Sequence, residues 1–292
     1  MIIDAHTHIF PPLFRDSREA FFADEPAFEM LYSKRSSKMA DAETLIQDMD
    51  ADGVDVSIVF GFPWRSAENF KQHNDYVIES VSTCPDRLIG LSCFDPVSSE
   101  GAVEAERCFK AGLRGVGELA VYNSPLTDDI IIKMGDVMAL CRDHDAPVLI
   151  HTSEPVGHQY PGKQAITLKQ IENLILTYPD NKIILAHWGG GILFYALLKK
   201  GIKEAFRNVW FDTAASPFLY DPAIYKTAGA IIGFEKILFG SDCPLIKPGR
   251  YFREIASTGI EPEHVKKIKG ENAFYLFCNK RPDKMTGNGA HS

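Results

Sequence analysis

The chain has 292 residues, 45% of them hydrophobic and 24% charged, with a net charge of −8 at pH 7. That length leaves room for a sizeable core in an ordinary globular composition, and the acidic balance argues against nucleic acid as the main partner, because phosphate binding needs a basic surface. No apolar run reaches the roughly 18 to 20 residues of a membrane span.

Short β-branched or apolar runs recur along the chain, each followed by a longer amphipathic stretch. In order they are 2–6 (IIDAH), 54–60 (VDVSIVF), 88–93 (LIGLSC), 113–118 (LRGVGE), 147–151 (PVLIH), 182–187 (KIILAH), 208–213 (NVWFDT) and 236–241 (KILFGS). Helical periodicity marks 41–51, where Leu45, Ile46 and Met49 share a face, and also 130–144, 163–178 and 263–277. Strands alternating with helices predict a parallel sheet with right-handed crossovers, and eight such units predict an α/β fold of the (β/α)8 barrel type, with an open doubly wound sheet as the rival. One domain is expected over 1–280. The long segment 11–40 after the first strand shows no clean period and reads as a loop over the barrel mouth. The polar tail 281–292 reads as disordered.

A strand-like segment begins at Ile2, where a leader peptide would otherwise lie. Six cysteines, at 84, 93, 108, 141, 243 and 278, form no CxxC pair and read as free thiols in a reducing compartment, so a cytoplasmic location is expected.

Side chains alternate along a strand, so His6 and His8 point the same way. Glu118 closes the fourth run, His151 the fifth and His187 the sixth, and Asp242 follows the eighth. In a barrel these strand ends converge on one mouth, where active sites are built. Four imidazoles and two carboxylates suit a divalent metal, with Zn2+ taken first and Mn2+, Fe2+ or Ni2+ also compatible. The bland alternative is a set of hydrogen-bonded structural histidines. His144, in a helix, is read that way, and His73, His158 and His264 as surface or loop residues. Basic and aromatic residues near the strand ends suggest a small carboxylate substrate of cyclic or aromatic type: Arg15 and Arg18 in the first loop, Trp64 after the second strand, Tyr122 after the fourth and Trp188 after the sixth. The partner implied is a small molecule, with a homo-oligomer left open.

Several stretches together resemble the amidohydrolase superfamily, in the branch often called amidohydrolase family 2. They are "DAHTH" (4–8), "DRLIGLSCFDP" (86–96), "GVGEL" (115–119), "LIHTS" (149–153), "LAHWGGG" (185–191), "LFGSDCP" (238–244) and "GENAFYLF" (270–277). The resemblance implies a distorted TIM barrel in which His6, His8, His151 and Asp242 bind metal and His187 is a ligand or a catalytic group. Many superfamily members carry a carboxylated lysine on the fourth strand. Here that strand ends in Glu118, and Lys110 lies in the preceding helix. Glu118 therefore reads either as a ligand bridging two ions, as in TatD-like members, or as a carboxylate orienting a ligand histidine. One ion is favoured over two, since only two carboxylates and a hydroxide would compensate two dications.

The expected chemistry is hydrolysis of an amide, lactone or ester by a metal-activated water, with Asp242 as general base. The alternative is nonoxidative decarboxylation of an aromatic or unsaturated acid, which the same branch also contains.

Overall fold

The protein is described by a computed structural model over residues 1–122, 124–198 and 202–278. The predicted tail, 281–292, lies outside the described residues. Eight parallel strands follow one another around a distorted (β/α)8 barrel: β1 (Ile3–His8), β2 (Val56–Phe60), β3 (Leu88–Gly90), β4 (Val116–Leu119), β5 (Val148–Ile150), β6 (Ile183–Leu185), β7 (Val209–Asp212) and β8 (Ile237–Leu238). Hydrogen bonding is continuous within β1–β3 and within β4–β8. Two parallel bridges, Ser92 with Val116 and Thr7 with Cys243, join these arcs at both seams. The bond from the Asp242 amide to the His6 carbonyl (2.9 Å) lies at the second seam.

The pleat sends alternate residues inward. The barrel interior is filled by Ile3 and Ala5, Ile58 and Phe60, Leu91, Leu149, Ile184, Trp210 and Leu238, with Ala273, Leu276 and Phe277 of the helix Asn272–Phe277 in the same cluster. The intervening residues face the outer helices. Truncating a fully buried aliphatic side chain such as Ile184 would cost about 2–5 kcal/mol.

Local chemistry sets the helix ends. The predicted helix at 41–51 is Ala42–Asp52: the Asp41 carboxylate accepts from the Thr44 amide, and Gly53, in the left-handed region at φ 73°, ends it. The predicted helix at 163–178 starts later, at Leu168, where Thr167 and Gln170 form a capping box. The stretch 130–144 divides into Asp128–Lys133 and Gly135–Asp143. Met134 (φ −70°, ψ −8°) forms the turn between them, just before Gly135, a residue with poor helix propensity.

The segment 11–40 differs from the expected loop. It contains the helices Pro12–Asp16 and Pro26–Tyr32 with a 3₁₀ turn, Arg18–Phe21, between them. Each is too short for its periodicity to show in sequence, and a proline starts each helix. Glu25 ties the segment down. Its buried carboxylate accepts from the Arg65 and Ser66 amides and the Asn69 side chain at 2.9–3.1 Å, at the start of the helix Ala67–Thr83. The six cysteines are free thiols.

Candidate active site

The strand ends bring His6, His8, Glu118, His151, His187 and Asp242 into one cluster. Glu118 lies at its centre. One carboxylate oxygen sits 2.8 Å from His151 Nδ1 and 3.5 Å from His187 Nε2, and the other lies 3.6 Å from His8 Nε2 and 3.7 Å from His6 Nε2. Asp242 Oδ1 closes the far side, 3.5 Å from His8 Nε2 and 3.8 Å from His6 Nε2. Three overlapping trios keep their ligand atoms within 4.8 Å of one another: His6, His8 and Glu118; His6, His187 and Asp242; Glu118, His151 and His187.

Backbone shape makes this convergence feasible. A Cβ on Gly117, at φ +136°, would lie 2.5 Å from the Leu149 carbonyl oxygen, so only glycine lets β4 approach β5 this closely just before Glu118. A Cβ on Gly240 would lie 2.8 Å from His6 Cβ. Asp242 and His187 both hold left-handed backbone, at φ 60° and φ 56°. Non-glycine residues in that region concentrate at functional sites.

The charges are mutually dependent. Burial works to raise the Glu118 carboxyl, but His151 and His6, with hydrogen bonds to His151 and His187, hold it well below the usual range. Burial works to lower His6, but Glu118, Asp212 and Asp242 outweigh it and push it up to about 10. His187 behaves similarly: burial is overcome by Glu118 and Asp242, and it rises to about 9. His8 is lowered by burial and by the neighbouring His6.

The donor set fits a divalent cation. His6 Nε2 is buried and has no hydrogen-bond partner among the described residues. It faces carboxylate oxygens at 3.7 and 3.8 Å, beyond hydrogen-bond reach. A buried imidazole nitrogen set among carboxylate oxygens with no hydrogen-bond partner suits coordination to a cation.

The residues expected to touch substrate divide. Tyr122 lies at the cluster, its ring 5.3 Å from that of His151 and stacked on Phe62 at 6.0 Å. Burial, then Glu118, Tyr32 and Asp242, push its phenol well up. Trp64 is fully buried, donates to His73 Nδ1 at 2.8 Å and packs against Phe14 and Phe28. Trp188 is equally buried and donates to Ser216 Oγ at 2.9 Å. Both tryptophans are therefore wall-packing residues rather than mouth-lining ones. The Arg15 guanidinium is engaged by Asp16 and Asp41, and that of Arg18 by the carbonyls of Tyr32, Lys34 and Ser37.

The other histidines also sort themselves. His73 is not a surface residue: it is fully buried in the helix Ala67–Thr83, with Nε2 2.6 Å from the Ile9 carbonyl. His144 pairs with Glu106 at 3.0 Å.

Two residues near the cluster escaped the sequence reading. Asp212, at the end of β7, is fully buried with Oδ2 2.8 Å from His6 Nδ1. The strand-end rule that picked out Glu118 and His151 would have found it. Tyr32 comes from the first-loop helix, and its phenol is raised by burial, Asp242 and Glu118. No periodic signal marks that helix.

A parallel eight-stranded barrel with a histidine–carboxylate cluster at the C-terminal ends of its strands defines a class of metal-site barrel enzymes. The chain belongs to the amidohydrolase family: the family model described as "Amidohydrolase" matches residues 3–277. Among curated relatives, a 2-amino-3-carboxymuconate-6-semialdehyde decarboxylase from Dictyostelium discoideum is 24% identical, with 87% of this chain and 85% of the relative aligned. Among solved structures, a 5-carboxyvanillate decarboxylase from Novosphingobium aromaticivorans, complexed with manganese, superposes with a TM-score of 0.75 at 16% identity, covering 95% of this chain and 96% of its own. A dihydroxybenzoic acid decarboxylase from Polaromonas sp. JS666, with bound manganese, gives 0.69 at 22% identity, covering 98% and 99%. At these identities the two structures establish the shared fold.

These relatives correct the expected chemistry. The residues alone favour hydrolysis over decarboxylation, but all three relatives are decarboxylases. The metal in both structures is manganese rather than the zinc first expected. No helix among the described residues is long and apolar enough to cross a membrane.

Proposed function

We propose that this protein is a metal-dependent nonoxidative decarboxylase of a small aromatic or unsaturated carboxylic acid. The observation that carries the reading is the near full-length match to a decarboxylase, in a chain whose strand ends gather four imidazoles and two carboxylates. His6, His8, His151 and Asp242 would hold one divalent ion, with manganese before zinc, and Glu118 would neutralise and orient the surrounding imidazoles. When bound, a divalent cation supplies Lewis-acid charge that fixes and polarises an oxygen-bearing substrate.

The chain's own residues supply a route for the proton. In the net reaction the bond from the carboxylate to carbon breaks, CO2 leaves, and the vacated carbon takes the electron pair and one proton. His187 Nδ1 donates to the Ala214 carbonyl at 3.0 Å, which turns Nε2 towards Glu118. The neighbouring Glu118 and Asp242 carboxylates favour its protonated form, as a proton donor needs. Asp242, part-exposed at the mouth, is placed to pass a proton to or from bound substrate. Tyr122 and Tyr32 would bound the substrate with ring faces and phenols, which suits a flat acid better than a flexible one.

The test incubates manganese-loaded protein with a panel of hydroxybenzoates and unsaturated acids, measuring CO2 release and, in D2O, one deuterium at the vacated carbon. Lactone, amide and ester panels run in parallel. Turnover of those panels with no CO2 from any acid would reject the proposal.

A further inference from the structure

One carboxylate behind the cluster touches two of its histidines at once. Asp212 is fully buried at the end of β7. Oδ2 lies 2.8 Å from His6 Nδ1, while Oδ1 accepts from the His187 amide at 2.9 Å and the Ala214 amide at 3.0 Å. The Ala214 carbonyl in turn lies 3.0 Å from His187 Nδ1. A single side chain thus holds the ring of one histidine directly and the ring of another through the turn it ties down.

The consequence is a choice of nitrogen. A carboxylate beside His6 Nδ1 keeps a proton there, so Nε2 is the nitrogen left to offer its lone pair when a cation takes the place of its proton. His6 Nε2 is the atom without a hydrogen-bond partner, and it faces the cluster. His187 Nδ1, donating to the Ala214 carbonyl, likewise turns Nε2 inward. Outer carboxylates of this kind set the tautomer, the ring angle and the basicity of a ligand histidine. The packing is specific to the pair: a Cβ on Gly240 would lie 2.8 Å from His6 Cβ and 3.4 Å from Asp212 Cβ, so only a glycine leaves room for both.

We propose that Asp212 is a positioning residue that presents Nε2 of His6 and of His187 to the cluster centre and thereby sets its affinity for a divalent metal. The inference rests on the ligand part of the proposed function and is independent of which bond the enzyme breaks.

Three measurements test it on the full chain. Titration with Mn2+ should show affinity falling about 10- to 100-fold in Asp212→Asn, the usual effect of losing such a partner. A double-mutant cycle with His6→Asn should be strongly non-additive, because removing His6 removes what Asp212 acts on. In the Zn2+-loaded wild type, imidazole 15N spectra should report His6 protonated at Nδ1 and not at Nε2, a measurement that stands even if the variant fails to fold. Either an Nε2–H tautomer of His6 in the metal-loaded wild type, affinities within twofold, or additive losses would overturn the role. If Mn2+ affinity falls as stated while no acid releases CO2, the positioning role stands and the decarboxylase reading fails.

Discussion

Glu118 Oε1 and His151 Nδ1 lie 2.8 Å apart in a buried pocket, and the same carboxylate reaches three further imidazoles within 3.7 Å. One carboxylate therefore lies within reach of all four imidazoles, and its removal tests how many ions the cluster holds. Purified wild type should carry about one metal per chain by elemental mass spectrometry. Glu118→Gln should lower that content without abolishing it, because His6, His8, His151 and Asp242 remain. A wild-type stoichiometry near two that collapses in the variant would make Glu118 a bridging ligand.

Asp242 is expected to carry the proton. Asp242→Asn keeps the shape and an oxygen donor but cannot exchange a proton, so kcat should fall about 100- to 10,000-fold. The circular dichroism spectrum should be unchanged. Near wild-type kcat in the metal-loaded variant would remove Asp242 from that role.

Arg15 is expected to be structural. Its guanidinium is already held by Asp16 and Asp41 at the foot of the first-loop helices. Arg15→Ala should leave KM for acids within about twofold of wild type and cost no more than about 1 kcal/mol, as for other solvent-accessible ion pairs. A large rise in KM confined to carboxylate substrates would restore it as a substrate contact.

His73 links stability to acid. Burial is the largest influence on it and lowers it from 6.5 to about 3. Above pH 6.5 it is neutral whether folded or unfolded, and its contribution is fully present. As pH falls below 6.5 the unfolded chain takes up a proton that the folded chain refuses, so stability drops by up to about 1.4 kcal/mol per pH unit until the folded residue also titrates near pH 3. His73→Gln should be less stable at neutral pH, yet its urea midpoint should fall less steeply between about pH 6 and 4. Parallel slopes for variant and wild type would contradict this.

Much of the architecture is legible in the sequence. Eight β-branched runs separated by amphipathic stretches describe a parallel barrel, because strand and helix periods are local properties of the chain. His6, His8, Glu118, His151, His187 and Asp242 are equally legible, since a barrel carries every strand's C-terminal end to one mouth. Tertiary structure decided what these patterns do not encode. Arg15, Trp64 and Trp188 read as mouth residues by their place in the chain, yet Arg15 is taken by two aspartates and both tryptophans are enclosed by other elements. His73 reads as a surface residue until Trp64 and the Ile9 carbonyl close over its ring. The ligands do not encode the reaction, because a metal held by histidines and carboxylates can polarise a scissile carbonyl or an acid to be decarboxylated. The partner of a given nitrogen depends on contacts between distant residues, such as Asp212 on His6, 206 positions apart. Only the closed barrel brings such residues within hydrogen-bonding range, and no local period records that distance.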